Sequence, residues 1–191
     1  MLQDGHHGLS CGAIPAGRRS RHTSLNDVVK RALVSASVPA ILEPPGLSRN
    51  DGRRPDGMTM CPWSQGKALV WDATVWDTMA DSHIVGSVAA PGHAAAEAET
   101  SKHRHHSFLE GQYLFVPLAF ETFGTWGHEA KGLISEIGRR ITNHTGEKRA
   151  TEFLRQRISI EVSRGNAFTV ISIHPYTRGL EEMYSVLTLK R

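Results

Sequence analysis

Two cysteines in 191 residues, Cys11 and Cys61, are too few for a disulfide framework, which fits a reducing compartment. Long apolar runs are missing too. No stretch approaches the roughly eighteen residues of a membrane span, and the N-terminal region has no uninterrupted apolar segment of the signal-peptide type. The expectation is a soluble, intracellular protein with no membrane partner. No segment repeats. Nor does charge of one sign dominate: 22 Lys and Arg against 19 Asp and Glu leave +3, and a pI near 9.1 permits a nucleic-acid partner without requiring one. At 39% hydrophobic residues the composition is globular, and 191 residues suit one domain with a real core and short appendages.

Against that background two aspartates stand out. Asp56 lies in the tetrad Arg54-Pro55-Asp56-Gly57, where a proline fixes the backbone and a glycine lets it turn. Asp72 interrupts the apolar run Ala68-Leu69-Val70-Trp71-Asp72-Ala73-Thr74, which otherwise reads as a buried strand. A bare ionised carboxylate in such a run costs several kcal/mol to bury, so it must be paired, protonated or bound to a metal. A second carboxylate nearby points to metal. Taken singly, each has a plainer reading, Asp56 as a turn residue and Asp72 as a strand-end cap or ion-pair partner.

Residues 1–22 are rich in Gly, Ser, Arg and His and read as loosely structured, with order beginning near Thr23. Leu25, Val28, Val29, Ala32, Leu33 and Ala36 form one apolar stripe of a helix capped by Thr23 or Ser24, its other face showing Asn26, Asp27, Lys30 and Arg31. After Pro39 comes a short strand, Ala40 to Glu43, and then a loop from Pro44 to Arg54. Gly57 to Cys61 and Ala68 to Val75 read as a hairpin joined through residues 62–67. One helix is expected from residue 89 to about Leu109, with a polycationic tip at Lys102-His103-Arg104-His105-His106. Tyr113 to Thr122 is strand-like, with Pro117 arguing for an edge position or a bulge. Ala130, Leu133, Ile134, Ile137 and Ile141 mark another helix closed by Gly146. From Glu147 to about Arg164 a helix with Leu154, Ile158 and Val162 inward competes with a strand reading, because Ile158, Ile160 and Val162 alternate. The order implies an α/β core on a mixed sheet.

The ordered set His7-Gly8-Leu9-Ser10-Cys11, Arg21-His22, Asn26-Asp27, Leu42-Glu43-Pro44-Pro45-Gly46, Arg54-Pro55-Asp56-Gly57, Val70-Trp71-Asp72-Ala73-Thr74, Leu114-Phe115-Val116-Pro117-Leu118 and Arg164-Gly165-Asn166-Ala167 resembles the landmarks of a known family. This is the restriction-like endonuclease, of the PD-(D/E)XK type, at the C-terminal end of the polyprotein of certain non-LTR retrotransposons. The likeness covers roughly residues 6–170. It implies a restriction-endonuclease-like mixed sheet flanked by helices over 23–174, after a truncated zinc-knuckle remnant in 1–22 and before an unassigned tail, 175–191. It implies a DNA-cleaving domain, nuclear in action, whose parent carries a reverse transcriptase upstream. The nick would leave a 3′-hydroxyl able to prime reverse transcription.

Phosphodiester hydrolysis needs a hard divalent cation, and Mg²⁺ (or Mn²⁺) takes oxygen ligands from one or two carboxylates. Asp56 and Asp72 can supply them, with the backbone carbonyl of Ala73 a third ligand by family analogy and Asp27 an outer or second-metal contact. A lysine is also required. Its usual place two residues after the second acid holds Thr74, so the family pattern shifts it to the following helix, where Lys102 remains, His105-His106 stands for the expected Lys-Tyr, and His105 is a weaker substitute. The cluster Lys102 to His106 reads as a solvated helix end or as a set of DNA phosphate contacts, for which Arg104, His105 and Arg54 are the candidates. His7 and Cys11 have the spacing of half a zinc knuckle, and without its other two ligands Zn²⁺ is not expected. The four tryptophans read as packing residues rather than base-stacking platforms, and Arg139, Arg140, Arg155 and Arg157 as solvated helix faces, with a widened DNA footprint as the alternative. The alternative function is a catalytically inactive retroelement remnant, at most a DNA-binding module.

Overall fold

A computed structural model describes residues 15–48 and 54–173. His7, Cys11 and the tail 175–191 lie outside the described residues. The chain forms an α/β domain: α1 (Pro15–Ser35), β1 (Ala40–Leu42), β2 (Gly57–Ser64), β3 (Lys67–Trp76), α2 (Ile84–Ala89), α3 (His93–His105), a 3-10 turn (Ser107–Leu109), β4 (Leu114–Glu121), α4 (His128–Thr145) and α5 (Ala150–Ile173). The four strands make one mixed sheet in the order β1-β2-β3-β4, antiparallel except for the parallel pair β3 and β4.

Because β3 is covered on both faces, its residues 69–73 are all buried, which is why an acid can sit in an unbroken apolar run. Leu69, Trp71 and Ala73 join Leu118 and Phe120 in the main core beneath α1, α4 and α5. Their alternates turn the other way, Val70 with Phe115 and Leu109, and Ala119 with Ala95 and Ala98 of α3. Asp72, between Trp71 and Ala73, shares the face of Val70 and meets α3. Pro117 pairs with Asp72 on an edge strand, where its missing N–H is harmless, as its chemistry requires.

The apolar stripe of α1 is buried at all six expected positions, Leu25, Val28, Val29, Ala32, Leu33 and Ala36. The helix is nevertheless present from Pro15, so the expected boundary between residues 22 and 23 falls inside continuous helix. Its earlier turns are held by a polar contact that leaves no apolar rhythm in the sequence: buried Arg21 donates to Asn166 Oδ1 on α5. Gly165 makes room for it, since a Cβ there would fall 2.5 Å from the Arg21 side chain. Asn26, expected on the solvent face, is 4% exposed and accepts the indole N–H of Trp71 at 3.0 Å.

The hairpin is tighter than expected. Its strands reach Ser64 and Lys67, leaving Gln65 and Gly66, with φ of 50° and 73°, as a two-residue turn of the kind that follows strand twist. Pro62 lies inside β2 at a register irregularity that absorbs its missing donor. The helix expected over residues 89–109 is shorter at both ends: it starts at His93, after Pro91-Gly92, where Gly92 takes φ +90°, and it ends at His105 before the 3-10 turn. Gly146 closes α4 in the left-handed conformation, its amide donating to Thr142 O at 2.8 Å. For the last segment the helical reading holds: Leu154, Ile158 and Val162, one turn apart, are buried on α5. Trp63, Trp71 and Trp126 are core residues, and Trp76 stacks on His83 with centroids 4.5 Å apart.

Candidate metal centre

Asp56 precedes β2, and one step beyond the Gly57–Trp71 pair it leaves the regular ladder. Its amide donates to Trp71 O at 3.0 Å, its carbonyl accepts from Glu43 N at 2.8 Å, and its Oδ2 accepts the Ala73 amide at 2.6 Å. The carboxylate is thereby fixed across the end of β3. Gly57 is there for space rather than for a turn: its φ is not positive, and a Cβ would lie 2.0 Å from the Trp71 indole. The Arg-Pro-Asp-Gly tetrad is thus shaped by a tryptophan from the facing strand, itself pinned by Asn26.

Asp72 is 5% exposed and reaches toward α3. Lys102 Nζ donates to its Oδ1 at 2.9 Å, and His106 Nε2 donates to its Oδ2 at 2.5 Å. The other nitrogen of His106, Nδ1, is buried without a partner among the described residues, so the imidazole proton belongs on Nε2. Burial pushes the Asp72 carboxyl up, but the His106 hydrogen bond, the Lys102 charge and the Lys102 hydrogen bond together hold its pKa below the ordinary carboxylate value.

From α1 comes a third group. His22 Nε2 lies 2.9 Å from Asp56 Oδ2, and that hydrogen bond raises the His22 pKa against the opposing effect of burial. One ligand atom each from His22, Asp56 and Asp72 lie within 4.8 Å of one another. Two ionised carboxylates this close repel unless positive charge sits between or beside them. Ligands about 2.1 Å from a common centre lie about 3.0–4.2 Å apart, so the donor set could hold one divalent cation once side-chain rotation draws the atoms together.

The structure brings Asp56, Asp72 and Lys102 together, and Ala73 joins them through its amide. It does not bring Asp27, whose carboxylate binds Arg31 one turn on along α1 and lines the hollow between α1 and α5. The reason is helical phase: Asn26 takes the sheet-facing position, and the next residue is rotated by about 100°. The cationic tip of α3 is likewise not uniformly solvated. Lys102 and His106, four apart, share the face that meets Asp72, whereas exposed His105 hydrogen-bonds Ser101 Oγ at 3.3 Å and Arg104 lines a separate hollow with Trp76 and His83. Arg54 is paired with Glu43 on the surface. Two site residues were missed as such by sequence reasoning, His22 and His106. For His106 the four-residue spacing from Lys102 was a readable signal; for His22 there was none, because Asn26, its neighbour on that face, itself reads as solvent-facing. Among the described residues no helix is long and apolar enough to cross a membrane. No known family model matches this chain, and no curated protein matches it in sequence.

Proposed function

We propose that the chain is a metal-dependent DNA endonuclease of the restriction-like, retrotransposon-derived type, nicking target DNA to prime reverse transcription in a parent element. The observation that carries this reading is the convergence of the Asp56 and Asp72 carboxylates on one another, with the Lys102 ammonium on Asp72. A pair of carboxylates aimed at opposite faces of the sheet would have ruled it out. The ordered landmarks of the sequence and the four-stranded mixed sheet flanked by helices support it.

Bound between the two carboxylates, Mg²⁺ or Mn²⁺ would neutralise charge on the phosphorane-like transition state and lower the pKa of the attacking water. Asp56 is held for this task by the Ala73 amide, and Asp72 by His106. The Ala73 carbonyl is a further oxygen at the same strand position. Lys102 supplies the positive charge that Thr74 cannot. Its side chain is a quarter exposed, so it can orient water and a scissile phosphate while anchored to Asp72. DNA is the substrate on this reading, and the nucleus the place of action.

One observation favours a second reading. Both oxygens of Asp72 already have donors, so the cluster can satisfy itself by ion pairs, as in an inactive remnant that at most binds DNA. Supercoiled plasmid separates the two. With Mg²⁺ or Mn²⁺ the wild type is expected to nick it and Asp72→Ala is not; no nicking by the wild type, or equal nicking by both, refutes the endonuclease.

A further inference from the structure

We infer that His22 is a third, nitrogen ligand of the cation held by Asp56 and Asp72, and that it tunes the site toward Mn²⁺ and related first-row transition cations and away from Mg²⁺. The inference rests on the metal-binding half of the proposed function and not on cleavage. Among the described residues, no other three His, Cys, Asp or Glu side chains gather their ligand atoms this closely. Two other imidazole-carboxylate groups, His83 and His93 on Glu97 at 3.1 and 3.5 Å and His103 between Glu110 and Glu129 at 3.8 and 2.8 Å, are chains of ion pairs whose ligand atoms do not gather as closely.

The position of His22 is built rather than incidental. One residue before it, Arg21 is buried against Asn166; one turn after it, buried Asn26 holds the Trp71 indole at 3.0 Å. Leu25 is 1% exposed in the same turn. These anchors fix the rotation of α1, so the imidazole meets the carboxylates at little further entropic cost. The side chain remains 44% exposed, and its ring also lies 3.5 Å from the Asn26 side-chain amide one turn on, which supports its direction. Its Nε2 already lies at 2.9 Å from Asp56 Oδ2 and donates its N–H there, and a cation entering the cluster would replace that proton between the nitrogen and the carboxylate. An imidazole nitrogen discriminates among metals in a way that carboxylates do not: Mg²⁺ keeps oxygen ligands and water, whereas nitrogen binding strengthens along the first transition row.

The test is electron-spin-echo spectroscopy of Mn²⁺ bound to the full chain, with Mg²⁺ competition measured alongside. Directly bound ¹⁴N coupling is expected in the wild type, absent from His22→Ala and His22→Gln and retained in His105→Ala, whose exposed imidazole turns to Ser101 instead. Mn²⁺ is expected to outcompete Mg²⁺, with that preference falling by roughly tenfold when His22 is removed, the low end of what metal-site support residues contribute. Folding of the variants is checked by circular dichroism, and the wild-type spectrum is decisive by itself. A wild-type Mn²⁺ complex without ¹⁴N coupling, coupling that survives His22→Ala, or no bound Mn²⁺ overturns the inference. Bound Mn²⁺ with His22 coupling but no plasmid nicking leaves it standing and removes the nuclease. Nicking by a Mn²⁺ complex without nitrogen coupling does the reverse.

Discussion

The side of the sheet that faces α3 carries buried acids at both ends, and the two ends treat them differently. At one end Glu121, 1% exposed, accepts the Ala95 amide at 3.0 Å in the first turn of α3, while Glu99 of α3 accepts the amides of Glu129 and Ala130 at 2.9 and 3.3 Å in the first turn of α4. Each carboxylate stands where a helix has unpaired N–H groups and a positive dipole end, and there it serves as a cap supplied by another element. At the other end Asp56 and Asp72 face each other, and their partners are an imidazole, an ammonium and a second imidazole drawn from α1 and α3. Buried carboxylates closed on backbone amides hold elements together. Carboxylates gathered beside side-chain donors can exchange those partners for a ligand.

The largest effect expected is from Gly57→Ala, which forces a Cβ into the Trp71 ring and threatens its bond to Asn26. A loss of about 3 kcal/mol in denaturant unfolding is expected, with Asp56 displaced. Next, Glu99→Ala should cost about 1–2 kcal/mol by uncapping α4, and Gly127→Ala should approach that value, because its Cβ would fall 2.0 Å from Glu99 Oε1. Plasmid nicking should survive both in whatever fraction stays folded; loss of nicking in the folded fraction would erase the distinction between the ends.

Titration sharpens the comparison further, with opposite signs. The Asp72 carboxyl lies below its unfolded value of 3.8, so its contribution to stability is present above that pH and is lost as pH falls through the folded pKa. Burial raises Glu99 above 4.5, so the native state binds the proton more readily than the unfolded chain, and stability falls as pH rises from 4.5 through the folded pKa. Carbon-detected carboxyl NMR should place the two transitions on opposite sides of that interval. The smallest effect is at the surface: Arg139 and Arg140 lower Glu136 to about 2, yet this partly exposed pair network should change stability by no more than about 1 kcal/mol in Glu136→Gln.

The apolar rhythm of α1, α4 and α5 was readable because each buries one stripe, and the same holds for β3, whose continuous run reflects cover on both faces. Pro117 announced an edge, and an edge it is. Polar tertiary contacts left no such trace. The first turns of α1 depend on Arg21 and Asn166, 145 positions apart, and the burial of Asn26 depends on an indole from β3. Asp56 and Asp72 could be named from motif and context, but His105 was named over His106 because it stands at the lysine position of the resembled pattern, whereas helical phase decides which residue meets the sheet. Gly57 is the subtler case, since a glycine after proline and aspartate suggests a turn while the space it leaves serves a side chain from the neighbouring strand.

The most direct measurement is a single-turnover plasmid-nicking series with four charge-removing variants of the two ends, Asp56→Asn, Asp72→Asn, Glu99→Gln and Glu121→Gln, compared at equal folded concentration. Both aspartate variants are expected to fall by more than the roughly 10–100-fold typical of losing an outer partner of a metal, while both glutamate variants cut within a few-fold of wild type. Equal losses at both ends, or cutting that survives either aspartate substitution, would contradict a metal held between Asp56 and Asp72.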